Sequence, residues 1–588
     1  MSPRHHRTTR LLLLAALLAA GIAGSAGAQE LEPAGADELP VADRVFFGGP
    51  VITVDQGDRV VEAVAISGGR IVAVGAREEV LALAGPDTVR SDLAGRALIP
   101  GFHDAHSHLV LAGEVRRFMA DLTSPPVGSR RSIGDLVEAL RQRAATTAED
   151  EWIVGMGYDD TLLAEKRHPN RRDLDRVSRD RPVVAIHVSA HLFAVNSKAL
   201  ELAGIHRETP QPPGGLIRRD ADGEPNGVLE EIAAFGPVFS QMPPRPPEER
   251  LAAIREMAAV YAAAGVTTAQ NGSTSLQQLR DLYALSAAGE LPLRVVALPD
   301  VATAAALVEG QFRLDPAVAD RFEIGAVKIV ADGSIQGYTG YLSQPYHTPP
   351  ADAVAGDGES AATRGYPLMP REQLQALIAN LHDSGFQLAI HGNGDAAIDD
   401  VLTGLEAAFA ATPRVDPRPI LIHAQMARDD QLDAMARLGV VPSFFVLHTY
   451  YWGDRHRDVF LGPQRAERIS PTGSALERGL AFTIHTDAPI VPMEPLRLVW
   501  SATQRRTASG RVLGEEQRIP LRAALRAATF AAAYQHFQED RLGSIEPGKL
   551  ADLVVLSADP LADPARVHEL RVEETIVGGQ TVYARYQP

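Results

Sequence analysis

The sequence predicts an α/β fold, and more narrowly a (β/α)8 barrel of the TIM type. Short apolar runs alternate with Ala-, Leu- and Arg-rich stretches of helical period, such as 251–264, 371–384 and 429–438. This alternation is typical of parallel strands joined by helices. Several of the apolar runs end in a His, Lys or Asp, and catalytic side chains of such barrels lie at the carboxyl ends of the strands.

Each of the eight expected barrel strands is a short apolar run close to a turn signal or a polar residue. These segments are 97–103, 266–271, 293–298, 325–330, 387–391, 419–423, 440–445 and 481–486. The barrel region is predicted to span residues 99–541. An insertion at about 113–250 follows the first strand, because it contains apolar runs of its own at 152–155 and 182–187.

Two β-rich ends flank the barrel region. Short runs with a Gly-Gly turn occur within residues 43–98 and recur within 542–588, which predicts a small composite β domain built from both termini. Residues 341–368 are rich in Pro, Gly, Ala and Asp. A long loop of this kind in a compact domain is often an active-site lid, so we expect one here.

The N-terminus is predicted to be a targeting segment. Three arginines precede the apolar run at 11–20, and Ser25-Ala-Gly-Ala28 resembles a cleavage site, so residues 1–28 read as a signal peptide and 29–42 as a linker. The apolar run is too short for a membrane span. With no cysteine in the chain, disulfides and a lipidated anchor are excluded. We therefore expect a periplasmic or secreted protein without a stable membrane anchor.

The overall charge argues against one class of partner. The chain has 588 residues and a formal net charge of −17, with 45% apolar residues. Nucleic-acid binding calls for basic surfaces, so we expect no nucleic-acid partner. An acidic balance mainly favours solubility.

The most informative stretch is Ile99-Pro-Gly-Phe-His-Asp-Ala-His-Ser-His108. Residues two apart on a strand point to the same side, so His106 and His108 can direct two imidazoles at one point, with His103 nearby. Imidazole suits zinc and similar divalent cations. Later apolar runs carry or end at Lys328, His391, His423 and Asp487, and these are the partners a metal site needs.

These motifs resemble the amidohydrolase superfamily, and within it the YtcJ-like, type 3 branch. The resemblance covers nearly the whole chain after the signal peptide. The matching segments are residues 100–108, 327–334, 390–395, 421–425, 485–489 and 543–553.

The resemblance implies two divalent metal ions, with zinc as the expected metal. His106 and His108 would hold one ion, and His391 and His423 the other. Lys328 would bridge them as a carboxylated lysine, the alternative being an ammonium group that pairs with Asp332 or with a substrate carboxylate.

The resemblance also suggests roles for three further residues. Asp487 would be a metal ligand and the catalytic proton acceptor and donor. His191 and Asn196 lie in a stretch similar to one that approaches the substrate in the branch. This chain has Ala190 where relatives are expected to have Gly.

The function expected from these features is hydrolysis of C–N bonds in non-peptide amides, through a hydroxide that bridges the metals. N-acyl, N-formyl and cyclic amides are the candidate substrates, and the partner is this small molecule, with a homodimer left open. The alternatives are a deaminase or a lactone or ester hydrolase of the same superfamily, and a non-catalytic exported binding protein on a barrel scaffold. A lysine in the ligand set argues against the deaminase, which normally keeps one metal.

Overall fold

The structure is a computed structural model that describes residues 40–350 and 364–586. The predicted signal peptide, nearly all of the predicted linker and residues 351–363 of the predicted lid lie outside the described residues. No helix in the described ranges is long and apolar enough to cross a membrane.

One sheet takes strands from both ends of the chain. It has eight strands in the order β23-β22-β21-β5-β1-β2-β3, with β4 paired to β1. The strands are β1 (Ala42–Ile52), β2 (Val60–Ser67), β3 (Arg70–Gly75), β4 (Ala84–Asp92), β5 (Ala97–Pro100), β21 (Leu553–Leu556), β22 (Val572–Val577) and β23 (Gln580–Ala584). The two predicted β-rich ends therefore share one sheet, while their separation as a domain stays a prediction.

A second sheet lies within the predicted insertion. It has six strands in the order β11-β12-β10-β9-β8-β7. They are β7 (Ala120–Asp121), β8 (Ile153–Tyr158), β9 (Val183–His187), β10 (Leu192–Val195), β11 (Leu216–Arg219) and β12 (Pro225–Glu230). Because these strands pair with one another, the segment after the first predicted barrel strand builds its own sheet.

The remaining strands form two parallel sheets in chain order. The first has four strands, β6 (Phe102–His103), β13 (Val266–Thr274), β14 (Arg294–Pro299) and β15 (Phe322–Ile324). The second has five, β16 (Val327–Val330), β17 (Leu388–Gly392), β18 (Ile420–His423), β19 (Val441–Phe444) and β20 (Thr483–Ile484). Residues of β17, β18 and β19 are buried throughout, as expected for apolar parallel strands covered on both faces.

Gly101 divides the first predicted strand, 97–103, into two strands that belong to different sheets. β5 runs antiparallel to β21, whereas β6 pairs in parallel with β13. A Cβ atom at Gly101 would lie 2.2 Å from Oγ1 of Thr267, so a larger residue would clash there. The predicted strand therefore serves both the sheet of the two termini and the parallel sheet that leads to the site.

Helices follow most of the strands, both in the parallel sheets and in the other two sheets. They are α1 (Arg77–Leu81), α2 (Leu109–Phe118), α3 (Ile133–Ala144), α4 (Arg171–Leu174), α5 (Ser197–Leu202), α6 (Glu231–Phe239), α7 (Pro247–Ala263), α8 (Leu276–Ala287), α9 (Val301–Val308), α10 (Arg371–Asp383), α11 (Asp395–Ala411), α12 (Asp429–Leu438), α13 (Leu447–Arg455), α14 (Gly462–Ala466), α15 (Thr472–Glu477), α16 (Pro495–Gln504), α17 (Leu521–Ala527) and α18 (Phe530–Tyr534). The three helices predicted at 251–264, 371–384 and 429–438 correspond to α7, α10 and α12.

Candidate metal centre

The structure brings the predicted ligands together at the carboxyl ends of the parallel strands. His106 and His108 follow β6, Lys328 lies in β16, and Asp487 follows β20. His391 lies in β17, and His423 is the last residue of β18. Neighbouring parallel strands end at one edge of a sheet, which is why residues far apart in sequence meet here.

His106, His108 and Asp487 form the first group. Their ligand atoms all lie within 4.8 Å of one another. Oδ1 of Asp487 is 3.6 Å from Nε2 of His106 and 3.4 Å from Nε2 of His108. Within the described chain this buried oxygen has no hydrogen-bond partner. Two nitrogens and one oxygen thus face a shared point.

The Nδ1 atoms of His106 and His108, which are the ring nitrogens farther from Asp487, are held by hydrogen-bond acceptors. Nδ1 of His106 donates to Oε1 of Gln270 at 2.6 Å, and Nδ1 of His108 donates to the carbonyl oxygen of Gly272 at 3.0 Å. These bonds leave each Nε2 unprotonated and directed inward, the form that binds a cation. Burial and the neighbouring charge of Lys328 hold the pKa of His106 well below its usual range, so this ring stays neutral.

His391 and His423 form the second group. Nδ1 of His391 lies 3.1 Å from Nε2 of His423. The outer nitrogen of His391, Nε2, donates to the carbonyl oxygen of Gly333 at 3.1 Å, and Nδ1 of His423 faces Nε2 of His485 at 3.1 Å. Burial keeps the pKa of both rings well below the usual value. Here too one nitrogen of each ring faces inward.

Lys328 lies beside the first group, and its charge also acts on both histidines of the second group. Its Nζ is 3.1 Å from Nε2 of His106. Burial lowers the pKa of Lys328 to about 8, against the opposing effect of the Asp487 charge. A buried amine of this kind is uncharged in an appreciable fraction near neutral pH, and the uncharged amine is the form that reacts with CO2.

Asp487 is held in an uncommon backbone conformation. Its φ is +57°, and that of His423 is +72°. Positive φ is rare for residues other than glycine and is concentrated at functional sites. Burial alone would raise the pKa of Asp487, but its close contacts with His108 and His106 hold the pKa of this carboxyl well below its usual range. The carboxylate is therefore ionised.

The donor set fits divalent metal ions. Two ligands of a tetrahedral zinc ion, each about 2.0–2.1 Å from it, are about 3.3 Å apart. In the first group, Oδ1 of Asp487 is 3.4 to 3.6 Å from the two Nε2 atoms. In the second group, the two inward-facing nitrogens are 3.1 Å apart. Both distances are close to the value for zinc ligands. Four imidazoles, one carboxylate and one lysine are a nitrogen and oxygen set that suits zinc.

His191 reaches the second group from the inserted sheet. Its ring centroid is 5.3 Å from that of His391, and its Nδ1 donates to Oε2 of Glu231 at 2.8 Å. Burial opposes protonation of His191, but the Glu231 carboxylate outweighs it and raises the pKa. The structure thus brings this predicted substrate-binding residue to the metal centre.

Asn196 has a different role from the predicted one. Its Oδ1 accepts hydrogen bonds from the backbone nitrogens of Ala199 and Val183, both at 3.0 Å, and its Nδ2 donates to the carbonyl oxygens of Ser178 and Arg181, both at 2.9 Å. Asn196 is the N-cap of α5 and is fully buried. All its hydrogen-bonding capacity is used, so the predicted substrate contact is corrected to a structural one.

Several residues outside the predicted ligand set support the ligands. Oε1 of Gln270 accepts a hydrogen bond from Nδ1 of His106. Nε2 of His485 faces Nδ1 of His423. Asp332 lies 3.6 Å from Nε2 of His391 and accepts backbone hydrogen bonds from Tyr341, Asn393 and Gly394. Burial raises the pKa of Asp332 to about 7. His485 lies in the same sequence motif, residues 485–489, as the predicted ligand Asp487, and this position is the feature of the sequence that could have identified it.

A further group, Asp159, Asp160 and His187, lies in the inserted sheet. Asp159 is bound by the Arg455 guanidinium and by Nε1 of Trp452, the latter at 3.0 Å. Nε2 of His187 is 3.2 Å from Oδ1 of Asp160. A guanidinium already compensates Asp159, so this group ties the inserted sheet to α13.

The fold and the site are those expected of a metal-dependent hydrolase. The sequence comparison agrees, because the profile of the amidohydrolase family (Amidohydro_3) matches residues 91–583. The chain therefore belongs to the amidohydrolase family, as its motifs suggest.

Two relatives match along nearly their whole length. The amidohydrolase YtcJ of Bacillus subtilis is 31% identical over 557 residues, covering 92% of this chain and 99% of the relative. The N-substituted formamide deformylase of Arthrobacter pascens is 28% identical over 559 residues, covering 92% and 98%.

Among solved structures, a metal-dependent hydrolase from Pyrococcus horikoshii has a TM-score of 0.68 at 25% identity. The similarity covers 88% of this chain and 98% of that one. A hydrolase from Pyrococcus furiosus gives 0.67, also at 25% identity. The family, the relatives and the solved structures together show that this chain is a hydrolase. They do not support the alternative of a non-catalytic binding protein.

Proposed function

We propose that this protein is an exported hydrolase of non-peptide amides that works with two divalent metal ions, zinc being the expected metal. The observation that carries the proposal is the orientation of four imidazoles. Each directs one nitrogen inward while its other nitrogen faces a hydrogen-bonding partner. Such partners fix the ring and raise the basicity of the ligand nitrogen.

The ligands divide into two sets in this proposal. His106, His108 and Asp487 would hold one ion, and His391 and His423 would hold the other. Lys328, carboxylated by CO2, would supply anionic oxygen ligands to this centre. Divalent ions held there supply Lewis acidity to the acyl group and make water a nucleophile at neutral pH. The two parallel sheets close into a barrel around this centre.

Asp487 moves the proton. Its Oδ1 faces the two imidazoles of the first set, which leaves Oδ2 to accept a proton from the attacking water. The same oxygen then donates that proton to the leaving nitrogen, as a general acid. The pKa of this carboxyl lies well below its usual range, so Asp487 is ionised and ready as a base at neutral pH.

The substrates are proposed to be small N-acyl, N-formyl or cyclic amides. Support comes from the relative named as an N-substituted formamide deformylase, which matches over 92% of this chain. A lysine among the cation ligands favours a two-metal hydrolase over a deaminase, since deaminases of this kind normally keep one metal. Export is proposed from the signal-like residues 1–28, and N-terminal sequencing of the mature protein should start at or near Gln29.

The test uses purified protein stripped of metal and then loaded with zinc, manganese or cobalt. We expect about two ions per chain by elemental analysis, and turnover of N-substituted formamides or related amides only in the loaded protein. A lactone and an aminated heterocycle in the same panel test the ester hydrolase and deaminase alternatives. Full amide hydrolysis by metal-free protein contradicts the proposal.

A further inference from the structure

Two buried polar side chains near the end of the barrel region lie behind the first metal ligand. Gln535 and His536 directly follow α18 and are 0% and 5% exposed. Nε2 of Gln535 donates to the carbonyl oxygen of Ala105 at 2.7 Å, across 430 residues of sequence. Because Ala105 precedes His106 in the chain, the segment after α18 contacts the backbone next to that ligand.

The carbonyl oxygen of Ala105 determines which way the amide of Gln270 points. One end of this amide lies 2.6 Å from that oxygen, and the other end lies 2.6 Å from Nδ1 of His106. A carbonyl oxygen only accepts hydrogen bonds, so the end beside it must be the NH2 group. Oε1 of Gln270 therefore faces His106, whose Nδ1 must carry the proton. Nε2 of His106 is then unprotonated, as a metal ligand requires.

His536 is a second acceptor for the same amide. Its Nε2 lies 3.0 Å from Nε2 of Gln270 and 2.9 Å from Nε2 of Gln535. Both amide nitrogens only donate, so Nε2 of His536 is the acceptor and the proton of this ring is on Nδ1. Burial holds the pKa of His536 well below its usual range, so the ring is neutral. Among the described residues Nδ1 has no partner, so the hydrogen bonds of this ring all go to the two amides.

The opposite orientation of the Gln270 amide would disable the ligand. Reversal would turn Oε1 toward the carbonyl oxygen of Ala105 and the lone pair of His536. It would also present an N–H group to Nδ1 of His106, whose proton would then be on Nε2, the atom that faces Asp487. A buried acceptor that loses its donor is costly, so Ala105 and His536 both oppose the reversal.

Gln535 is held in turn by the strands of the barrel region. Its Oε1 accepts from the Thr483 hydroxyl at 2.9 Å, and its carbonyl oxygen accepts from Nε2 of Gln387 at 2.8 Å. Thr483 begins β20, which precedes Asp487, and Gln387 precedes β17, which contains His391. The segment after α18 is therefore tied to strands that lead to both ligand groups.

Three groups surround the NH2 end of the Gln270 amide, and we call them the amide clamp: the Ala105 carbonyl, Gln535 and His536. We propose that the amide clamp locks the orientation of Gln270 and thereby imposes the metal-binding tautomer on His106. Gln535 and His536 are then positioning residues, an inference that rests on the proposed function. Only one tautomer of His106 offers Nε2 to a cation, so a mixture of tautomers lowers the metal affinity by the competent fraction.

The first test measures zinc affinity by competition with a chromophoric chelator. We expect the affinity to fall about 10- to 100-fold in Gln270→Leu, which loses the bond to His106, and about 10-fold in His536→Leu. His536→Gln keeps a side-chain oxygen that can accept, so it should stay within about 3-fold of the wild type. The matched control is His382→Leu, since His382 is also buried but its Nε2 contacts the carbonyl oxygen of Thr412.

A double-mutant cycle separates this role from a general loss of packing. If His536 acts through Gln270, then His536→Leu adds no further loss of zinc affinity in the Gln270→Leu background. Additive losses would overturn the amide clamp, and so would equal losses in His536→Leu and His382→Leu. Equal losses in His536→Leu and His536→Gln would also overturn it, because the shape of the side chain and not its acceptor would then matter.

The second test observes the tautomer in metal-free protein by 15N NMR of labelled histidine. His106→Gln identifies the signals of His106. The wild-type ring should be protonated at Nδ1, whereas Gln270→Leu and His536→Leu should show a population protonated at Nε2. A wild-type ring protonated at Nε2 would overturn the amide clamp even if His536→Leu does not fold. Wild-type protein that binds no divalent metal would instead overturn the proposed function, and the tautomer would still be measurable without metal.

Discussion

Nδ1 of His423 lies 3.1 Å from Nε2 of His485, and Nδ1 of His485 lies 2.8 Å from the Ser443 hydroxyl oxygen. Since Nε2 of His423 must be unprotonated to bind a metal, its Nδ1 must carry the proton. That proton is donated to Nε2 of His485, which in turn donates through Nδ1 to Ser443. A short chain of hydrogen bonds therefore sets the tautomer of a metal ligand.

Replacing His485 with Phe should weaken the second metal site. The ring volume is nearly kept, but the acceptor for Nδ1 of His423 is lost, so we expect metal affinity to fall about 10- to 100-fold. Elemental analysis after limited dialysis against a chelator measures this. The matched control is His103→Phe, since His103 is also buried but is bound to Gln538. Equal metal loss in both variants would remove His485 from this role.

Carboxylation of Lys328 should depend on bicarbonate and on pH. Burial lowers the pKa of Lys328 to about 8, so the reactive free amine increases as pH rises through this value. Zinc reconstitution of metal-free protein should thus be faster with added bicarbonate, and faster at pH 8.5 than at pH 7. With 13C-labelled bicarbonate, wild-type protein should show a carbamate NMR signal that Lys328→Met lacks. An unchanged rate without bicarbonate argues for the ammonium form.

Asp487→Asn is a clean test of the proton transfer. Asn is nearly isosteric and tolerates the positive φ of +57°, so the backbone should be kept. The amide cannot accept the proton, and we expect kcat to fall by at least about 10²- to 10⁴-fold while most of the metal is retained. Kinetics with parallel metal analysis measures both. Near-normal kcat in loaded protein would exclude Asp487 from the mechanism.

Gly272 leaves the space that the first histidine pair needs. A Cβ atom there would be 2.6 Å from Cε1 of His106 and 3.0 Å from Cε1 of His108. Gly272→Ala should therefore displace both rings and lower the bound metal, without unfolding the sheet. Gly57→Ala is the control, because its added atom would meet only ordinary contacts at 3.5 Å or more. Full metal content in Gly272→Ala would show that the rings can move aside.

Two buried histidines away from the ligands predict loss of stability in acid. Burial lowers the pKa of His103 to about 4 and that of His456 to about 3. Below the unfolded value of about 6.5, the unfolded chain binds protons that the folded chain does not, so stability falls with pH by about 1.4 kcal/mol per unit and per group. Urea unfolding of metal-free protein at pH 6.5 and 5.5 measures this slope, which His456→Gln should reduce.

The ligands could be predicted because strand order and strand ends are local features of the sequence. Apolar runs that end in His391 and His423 are recognisable one at a time, and parallel pairing then brings them together. The outer partners could not be recognised in this way. Gln270 lies within a strand that the sequence does predict, but its bond to His106 depends on the side of the strand on which its side chain projects.

The roles of residues in the inserted sheet could be predicted less well from the sequence. Asn196 precedes a helix, and the N-cap preference of Asn is a sufficient reason for its position. Glu231 has no motif of its own, and only the β10–β12 register brings it to His191. Ala190, where relatives are expected to have Gly, has a φ of +62°, so the chain keeps a backbone conformation that favours Gly.

The division at Gly101 has a consequence for folding during synthesis. β5 has β1 on one side and β21 on the other, and β21 begins 452 residues after Gly101. Until the ribosome has released the last strands, β5 is therefore a sheet edge with free backbone groups, next to the segment that carries the first metal ligands. Such edges promote aggregation. The nascent chain is therefore most vulnerable just before termination, and chains truncated there should depend on chaperones.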